Sequence, residues 1–245
     1  MFTGKYKFAD VTVEITTHNA YVHKLCCDYV TYDDVREKIV ILPSDIERER
    51  SECRNSDGNN ADAFSDGYME FIAVHRKLAV MLLEYDILLM HGSAISADGY
   101  GLLFTAHSGT GKSTHTRLWR EMLGDSCCII NDDKPFVFVP TDKRKFPVIY
   151  GSPWDGKHNL SSNIHRPLKA IVLLERGETN EIHEISSQEM LPTILEQTFR
   201  TDDAEVTAKV LNLLSHLMRK VKFYQLHCNM EPQAAKVAYQ AIMRR

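Results

Sequence analysis

Apolar Val11, Val13 and Ile15 alternate with polar Thr12, Glu14 and Thr16, the period of two that marks a strand with one buried face. Residues 38–42, ahead of Pro43, predict a second strand, so the stretch from about residue 9 to 42 reads as short strands. Residues 51–67 are rich in Asn, Asp and Ser and nearly free of large apolar side chains; a mobile surface loop or linker is expected there. Over residues 68–85 the period changes. Phe71, Ile72, Leu78, Ala79, Leu82 and Leu83 recur at steps of three and four and predict an amphipathic helix. Residues 87–95 predict one strand, which Asp98-Gly99-Tyr100-Gly101 folds back onto residues 102–104 as a hairpin.

A glycine-rich loop follows, then a helix over 113–122 closed by Gly124 and a strand over 127–130. Residues 136–139 and 146–150 read as hairpin strands around Thr141-Asp142-Lys143-Arg144, and 170–174 as a buried strand with 182–185 as its expected partner. The remainder is expected to be mostly helical, with a capping box at Ser186 and Glu189 and helical periodicity over 206–218 and 231–243. No internal repeat or low-complexity tract is present. The pattern is mixed α/β, divided into a small β-rich N-terminal region with its linker (1–66) and a larger domain (67–245).

Composition narrows the function classes. The 245 residues are 44% apolar and 25% charged, which excludes a disordered, collagenous or disulfide-stapled chain. Lys and Arg number 29 against 33 Asp and Glu, a net charge of -4, so no basic excess drives binding to a polyanion. The longest basic run, Lys143-Arg144-Lys145, reads as a solvated turn, and no nucleic-acid partner is expected. Nothing approaches the roughly 20 apolar residues of a membrane helix, and no signal-peptide core follows Met1-Phe2-Thr3-Gly4-Lys5. Cys26-Cys27, Cys127-Cys128, Cys53 and Cys228 fit neither a disulfide framework nor zinc-ligand spacing. Reduced thiols and a cytoplasmic location, with no membrane partner, are the expectation.

The chemistry concentrates in Ala106-His107-Ser108-Gly109-Thr110-Gly111-Lys112-Ser113-Thr114. It fits the phosphate-loop pattern G-x-x-x-x-G-K-[ST] except that Ala106 replaces the first glycine. Gly109 and Gly111 allow a backbone whose N–H groups converge on phosphate oxygens, with Ser108, Thr110 and Thr114 in the same cradle. The following helix adds the positive end of its dipole. Lys112 supplies a charge for the β- and γ-phosphates, and the Ser113 hydroxyl a ligand for Mg²⁺. The preceding apolar strand and the following helix are the context this mechanism requires.

Asn131-Asp132-Asp133 ends the strand after that helix. Beside a triphosphate two adjacent carboxylates can divide labour, one holding Mg²⁺ and the other accepting a proton from an attacking hydroxyl; a plain turn before Lys134-Pro135 is the alternative. His91 ends an apolar run 21 residues before Lys112, where a buried core histidine is the competing reading. In Gly151-Ser152-Pro153-Trp154-Asp155-Gly156-Lys157, Trp154 can anchor an irregular loop. Lys157 either neutralises charge on a transferred phosphoryl or is simply solvated.

Together His91-Gly92, the hairpin, Ser108-Gly109-Thr110-Gly111-Lys112-Ser113 and Asp132-Asp133 resemble the catalytic domain of HPr kinase/phosphorylase, which is related to the nucleotide-binding half of ATP-dependent phosphoenolpyruvate carboxykinase. The resemblance spans roughly residues 87–174. It implies a mixed-sheet P-loop nucleotide-binding fold and an ATP- and Mg-dependent kinase that phosphorylates a serine-type hydroxyl on a peptide, protein or small molecule. It further implies Asp133 as general base, Asp132 as aid to metal or substrate, and His91 beside the base, setting its protonation; the reverse assignment of the two aspartates is the alternative, since the carboxykinase branch places a metal on the second one. Residues 150–159 depart from the glycine-rich signature that follows the carboxylate strand in HPr kinase, so HPr itself is not implied as acceptor. The partners expected are the nucleotide and an unidentified hydroxyl-bearing acceptor, with a homo-oligomer by family analogy. An ATP-binding regulatory or chaperone-like module without phosphotransfer is the alternative; both carboxylates and His91 weigh against it.

Overall fold

The computed structural model describes residues 1–55, 63–107, 109–142, 144–156 and 159–244, with only the backbone of Asn55. The chain divides into two compact units, Met1–Tyr85 and Asp86–Arg245. Among the described residues no helix is long and apolar enough to cross a membrane, and all six cysteines are free.

In the first unit β1 (Phe2–Phe8) and β2 (Val11–Thr17) form an antiparallel hairpin, and β3 (Glu37–Val40) adds in parallel to β2. Val13, Ile15 and Thr17 are fully buried on one face of β2, as the alternation predicts. Three helices complete the unit: α1 (Tyr21–Leu25), α2 (Pro43–Asn55) and α3 (Asp66–Leu82). Ser65 caps α3 by accepting the Tyr68 N–H at 3.2 Å. Buried Glu70 of α3 accepts the N–H groups of His18 and Asn19 at 2.6 and 2.9 Å, which compensates its charge and ties the end of β2 to the helix.

Two expectations need correction here. Residues 51–55, assigned to the linker, are helical. The face α2 turns inward carries Asp45 and Glu49, bound to Lys77 and Arg76 of α3 at 2.5 and 2.6 Å, so no apolar stripe announces the helix. The unit boundary falls after Tyr85 instead of after residue 66, because α3 packs on α1, α2 and the strands of the first unit.

The second unit is a nine-stranded mixed sheet with helices packed on it. Its strands are β4 (Ile87–Leu89), β5 (Ser93–Ala97), β6 (Tyr100–Thr105), β7 (Cys127–Asn131), β8 (Phe136–Phe138), β9 (Val148–Tyr150), β10 (His165–Arg176), β11 (Glu181–Ile185) and β12 (Lys222–Cys228). The order runs β4-β8-β9-β10-β6-β5-β7, with β12 paired to both β10 and β11. β10 joins the parts: its first residues pair antiparallel with β9, and its later ones run parallel to β6 and β12. The helices are α4 (Lys112–Leu123), α5 (Ser187–Glu196), α6 (Ala204–Leu217) and α7 (Pro232–Met243). Ser186 and Glu189 form the capping box their spacing predicts.

Three strand expectations change. Residues 87–95 are two strands, not one, because the chain leaves the β8 neighbourhood at Leu89 and enters the β6 neighbourhood at Ser93, with His91 and Gly92 at the crossing. β11 pairs with β12 and not with β10. β12 itself lies in a stretch expected to be helical; it is a strand set between two helix patterns, paired parallel to β10 and antiparallel to β11, with no tight turn joining it to either.

α4 and α7 cover a core that includes Phe104, Trp119, Val172, Leu226 and Ala238, all essentially inaccessible to water. Within it the Trp119 indole donates to His115 Nε2 at 2.9 Å. Indole is only a donor, so the neutral imidazole carries its proton on Nδ1, which has no partner among the described residues. Burial pushes the His115 pKa from 6.5 down to about 4. Between those values the unfolded chain takes up a proton that the folded chain refuses, so stability falls as pH drops through 6.5 and levels off below about 4. Between pH 7 and pH 5 this amounts to about 2 kcal/mol. Urea midpoints at the two pH values should therefore show a loss in the natural protein larger by about that amount than in His115→Gln. Equal losses would remove His115 as the origin.

Candidate functional site

Three segments meet at one edge of the nine-stranded sheet, and strand pairing places them there. β5 runs antiparallel to both neighbours, pairing Ser93 with Phe104 of β6 and Ala94 with Asn131 of β7. The start of β5 therefore lies beside the ends of β6 and β7. His91 and Gly92 precede β5, the glycine loop follows β6, and Asp132 and Asp133 follow β7. β10 is parallel to β6, which brings its last residue, Arg176, to the same edge.

The loop between Thr105 and α4 has Gly109 at φ 76° and Gly111 at φ 115°, left-handed values that strain any L side chain. Space around both Cα atoms is open, so the requirement for glycine is torsional and not steric. Side chains hold the loop through its carbonyls: Lys112 Nζ donates to Ala106 O at 3.1 Å, Thr110 Oγ1 to His107 O at 2.8 Å, and Arg176 Nη2 to Gly109 O at 2.6 Å. Gly111 is the N-cap of α4, and no side chain caps it. The opening amides of α4 are thus free of a capping side chain at the positive end of the helix dipole. Ser108 lies outside the described residues.

The turn after β7 is built on Asn131, whose side chain is fully buried. Its Oδ1 accepts the N–H groups of Asp133 and Lys134 at 2.9 and 2.5 Å, and its Nδ2 donates to Ser152 O at 3.0 Å and Trp154 O at 3.2 Å. Trp154 is buried with its ring edge-on to Phe136, which anchors the 151–156 loop against that turn. Gly156 donates its N–H to Asp132 Oδ1 at 2.5 Å, and a Cβ on Gly156 would lie 2.9 Å from Asp132 Oδ2, so a side chain there would make the carboxylate shift. Lys157 lies outside the described residues.

Asp132 and Asp133 point into different environments. Burial, then the charges of Asp155 and Asp133, raise the Asp132 pKa against the opposing Gly156 hydrogen bond. Burial acts the same way on Asp133, but the His91 hydrogen bond and the charges of Lys134, His91 and Lys112 outweigh it and hold that carboxyl below its ordinary value. His91 Nε2 lies 3.2 Å from Asp133 Oδ1, and Lys134 Nζ 3.8 Å from the same oxygen. The backbone fixes this pairing: His91 N–H donates to Gln197 O at 2.7 Å and Gly92 N–H to Asp133 O at 3.0 Å. Burial lowers the Lys112 pKa, with the Lys134 charge adding to it and Asp133 opposing. Burial likewise lowers Lys134.

The structure thus brings both His91 and Lys112 into electrostatic contact with Asp133. Ser113, Thr114 and Asp132 line one cavity of about 470 Å³. Thr110 and the two glycines remain in the loop. Among the described residues no group of three His, Cys, Asp or Glu side chains converges on a metal position. Two neighbours went unassigned in the sequence. Lys134 was readable as the cation directly after the acidic pair, whereas Arg176 reaches Gly109 only through the parallel register of β10 on β6, which no local pattern encodes.

No protein-family model and no curated protein matches the chain. Among solved structures it is similar in fold, distantly, to the Hpr(Ser) kinase/phosphatase from Coxiella burnetii, at 10% identity and a TM-score of 0.35, over 64% of this chain and 97% of that one.

Proposed function

We propose that this chain is an ATP- and Mg²⁺-dependent kinase of the P-loop, phosphoenolpyruvate carboxykinase-like type that phosphorylates a hydroxyl of a peptide, protein or small molecule. The observation that carries this reading is the juxtaposition of the Lys112 loop with the acid turn, so that Lys112 and Asp133 feel each other's charge and Ser113 shares a cavity with Asp132. The motif resemblance to HPr kinase supports the same reading.

The residues fit a magnesium nucleotide. An uncapped helix start, two left-handed glycines and a mobile ammonium suit a polyphosphate. Ser113 Oγ and the Asp132 carboxylate are hard oxygen donors on one cavity, and Mg²⁺ takes one or two such protein ligands with phosphate and water completing its shell. Bound there, Mg²⁺ would neutralise charge on the phosphates and polarise the transferred group.

The two aspartates suit different duties because their surroundings push their pKa values apart. Asp132, whose burial disfavours its charge, gains from a nearby cation. Asp133, held ionised beside His91 and Lys134, is ready to accept a proton. The acceptor oxygen forms a bond to the γ-phosphorus while the bond from that phosphorus to the bridging oxygen breaks. ADP leaves and the hydroxyl proton passes to Asp133. A weak base suffices, because proton removal comes late in a loose transition state. His91 orients Asp133, and Lys112 and Arg176 steady the loop on the phosphates; Lys157 is assigned to the transferred group from sequence alone.

In calorimetry with magnesium, Lys112→Ala should lose measurable ATP binding, whereas Asp133→Asn should keep it. Transfer from γ-labelled ATP should fall in Asp133→Asn by about 10²–10⁴-fold. A protein that binds ATP and loses no transfer in Asp133→Asn would overturn the base assignment, and one that binds ATP but labels nothing would be the regulatory module instead.

The pH profile tests the His91 contact. That hydrogen bond lowers the Asp133 pKa, so His91→Ala should raise it. The base works only when ionised, so the acid limb of kcat/KM should move to higher pH in His91→Ala. An unmoved limb would show that His91 does not tune Asp133.

A further inference from the structure

Beyond Ser113, Thr114 and Asp132, the 470 Å³ cavity is lined by Thr116, Arg117 and Arg120 of α4, by Ile129 of β7 and by Leu160. Ser113, Thr116, Arg117 and Arg120 stand at i, i+3, i+4 and i+7, so they form a single face of the helix. Two guanidinium groups therefore line the same space as the acid at the end of β7, with a branched apolar side chain on each of two other elements. A pair of arginines in a pocket of this size is matched to an oxoanion, because the planar fork binds carboxylate or phosphate through paired hydrogen bonds.

The arginines have little else to do. The Arg120 side chain makes no hydrogen bond or ion pair among the described residues, although its charge acts on the Cys127 thiol. Arg117 meets Glu121 at 2.5 Å, but both side chains are more than half exposed, and such a pair one helical turn apart is worth only about 0.3–0.5 kcal/mol. A bound anion could exchange for it at small expense. Their backbone positions also stand back from the phosphates that the loop would hold. At 1.5 Å rise per residue Arg117 and Arg120 lie roughly 6 and 10 Å along α4 from Ser113, away from the uncapped helix start.

We propose that this cavity is the acceptor subsite of the kinase described above, and that the acceptor is a small hydroxyl-bearing oxoanion. Its carboxylate or phosphate sits on Arg117 and Arg120, its hydroxyl points past Asp132, the acid that lines the cavity, toward the neighbouring Asp133, and the carbon segment between lies against Ile129 and Leu160. The inference rests on the phosphotransferase reading and adds the substrate class. The group transfer is unchanged: the acceptor hydroxyl oxygen takes the γ-phosphoryl, ADP departs, and Asp133 receives the proton. The oxoanion takes no part in bond making; it fixes which hydroxyl is presented.

The test uses the full chain, Mg²⁺ and γ-labelled ATP, with the low-molecular-mass fraction of a cell extract separated beforehand on an anion exchanger. The labelled acceptor should come from the retained material. Arg120→Gln should raise its KM at least tenfold with the KM for ATP unchanged, Arg117→Gln should act in the same direction, and Arg120→Lys should restore part of the loss. An acceptor found in the unretained material, label confined to proteins, or a wild-type acceptor KM in both glutamine variants overturns the proposal while leaving the kinase intact. A rise in the ATP KM instead assigns the arginines to the nucleotide and also overturns it. Absence of label in every fraction, small-molecule and protein alike, overturns the kinase reading and this inference with it. Circular dichroism of each variant separates loss of fold from loss of binding.

Discussion

One buried carboxamide governs the geometry of the site. Asn131 has two acceptor lone-pair positions and two donor hydrogens, and the fold uses all four. Backbone N–H groups can only donate, so the amide oxygen must face Asp133 and Lys134, and the nitrogen must then face Ser152 and Trp154. Each of these groups, left buried without its partner, would cost about 1–3 kcal/mol. The turn bearing both aspartates and the loop bearing Gly156 are thereby held to each other, and Asp132 meets the Gly156 amide as a consequence. Ser152 reinforces the arrangement by donating its hydroxyl to Lys134 O at 2.7 Å.

The sheet supplies the second constraint. With β5 interposed antiparallel between β6 and β7, those two strands run in the same direction and end at the same edge. A loop after one and an acid turn after the other must then lie side by side, whatever the intervening sequence. The chain enters β5 at that edge too, which is why the histidine just before it reaches Asp133. Few degrees of freedom remain: three chain segments, the first two separated by the β5–β6 hairpin and the last two by α4 and β7, are gathered by two hydrogen-bonded ladders.

The sequence made local features readable and distant pairings opaque. Gly109, Gly111, Asp98-Gly99 and the Ser186–Glu189 box each carry a torsional or hydrogen-bonding requirement within a few residues, and the structure realises all four. The residues of the candidate site were readable one by one from the loop motif, the acidic pair and the histidine. Their proximity was not readable, since it arises from strand order. Helix α2 escaped because its inner face is acidic and paired with cations, where periodicity looks for apolar side chains. The place of β12 beside β10 and the reach of Arg176 escaped because parallel register has no short-range signature.

Charge balance completes the picture. Lys112, Lys134 and Arg176 stand around the loop and turn, against the carboxylates of Asp132 and Asp133. Burial disfavours the charge on both lysines and on Asp132, and Lys134 further disfavours Lys112. A bare anion at the loop would reverse the two lysine terms but worsen that of Asp132; a bare cation at Asp132 would do the opposite. A polyanion carrying a divalent cation relieves all three together, because the charge of each component falls where the protein has placed its opposite. The two basic groups further along α4 stand apart from this balance: Arg117 and Arg120 line a cavity in which, among the described residues, Asp132 is the one carboxylate. Under the reading proposed above, the weak exposed pair of Arg117 with Glu121 and the Arg120 side chain, unpaired among the described residues, would leave that end of the cavity available to a second anion.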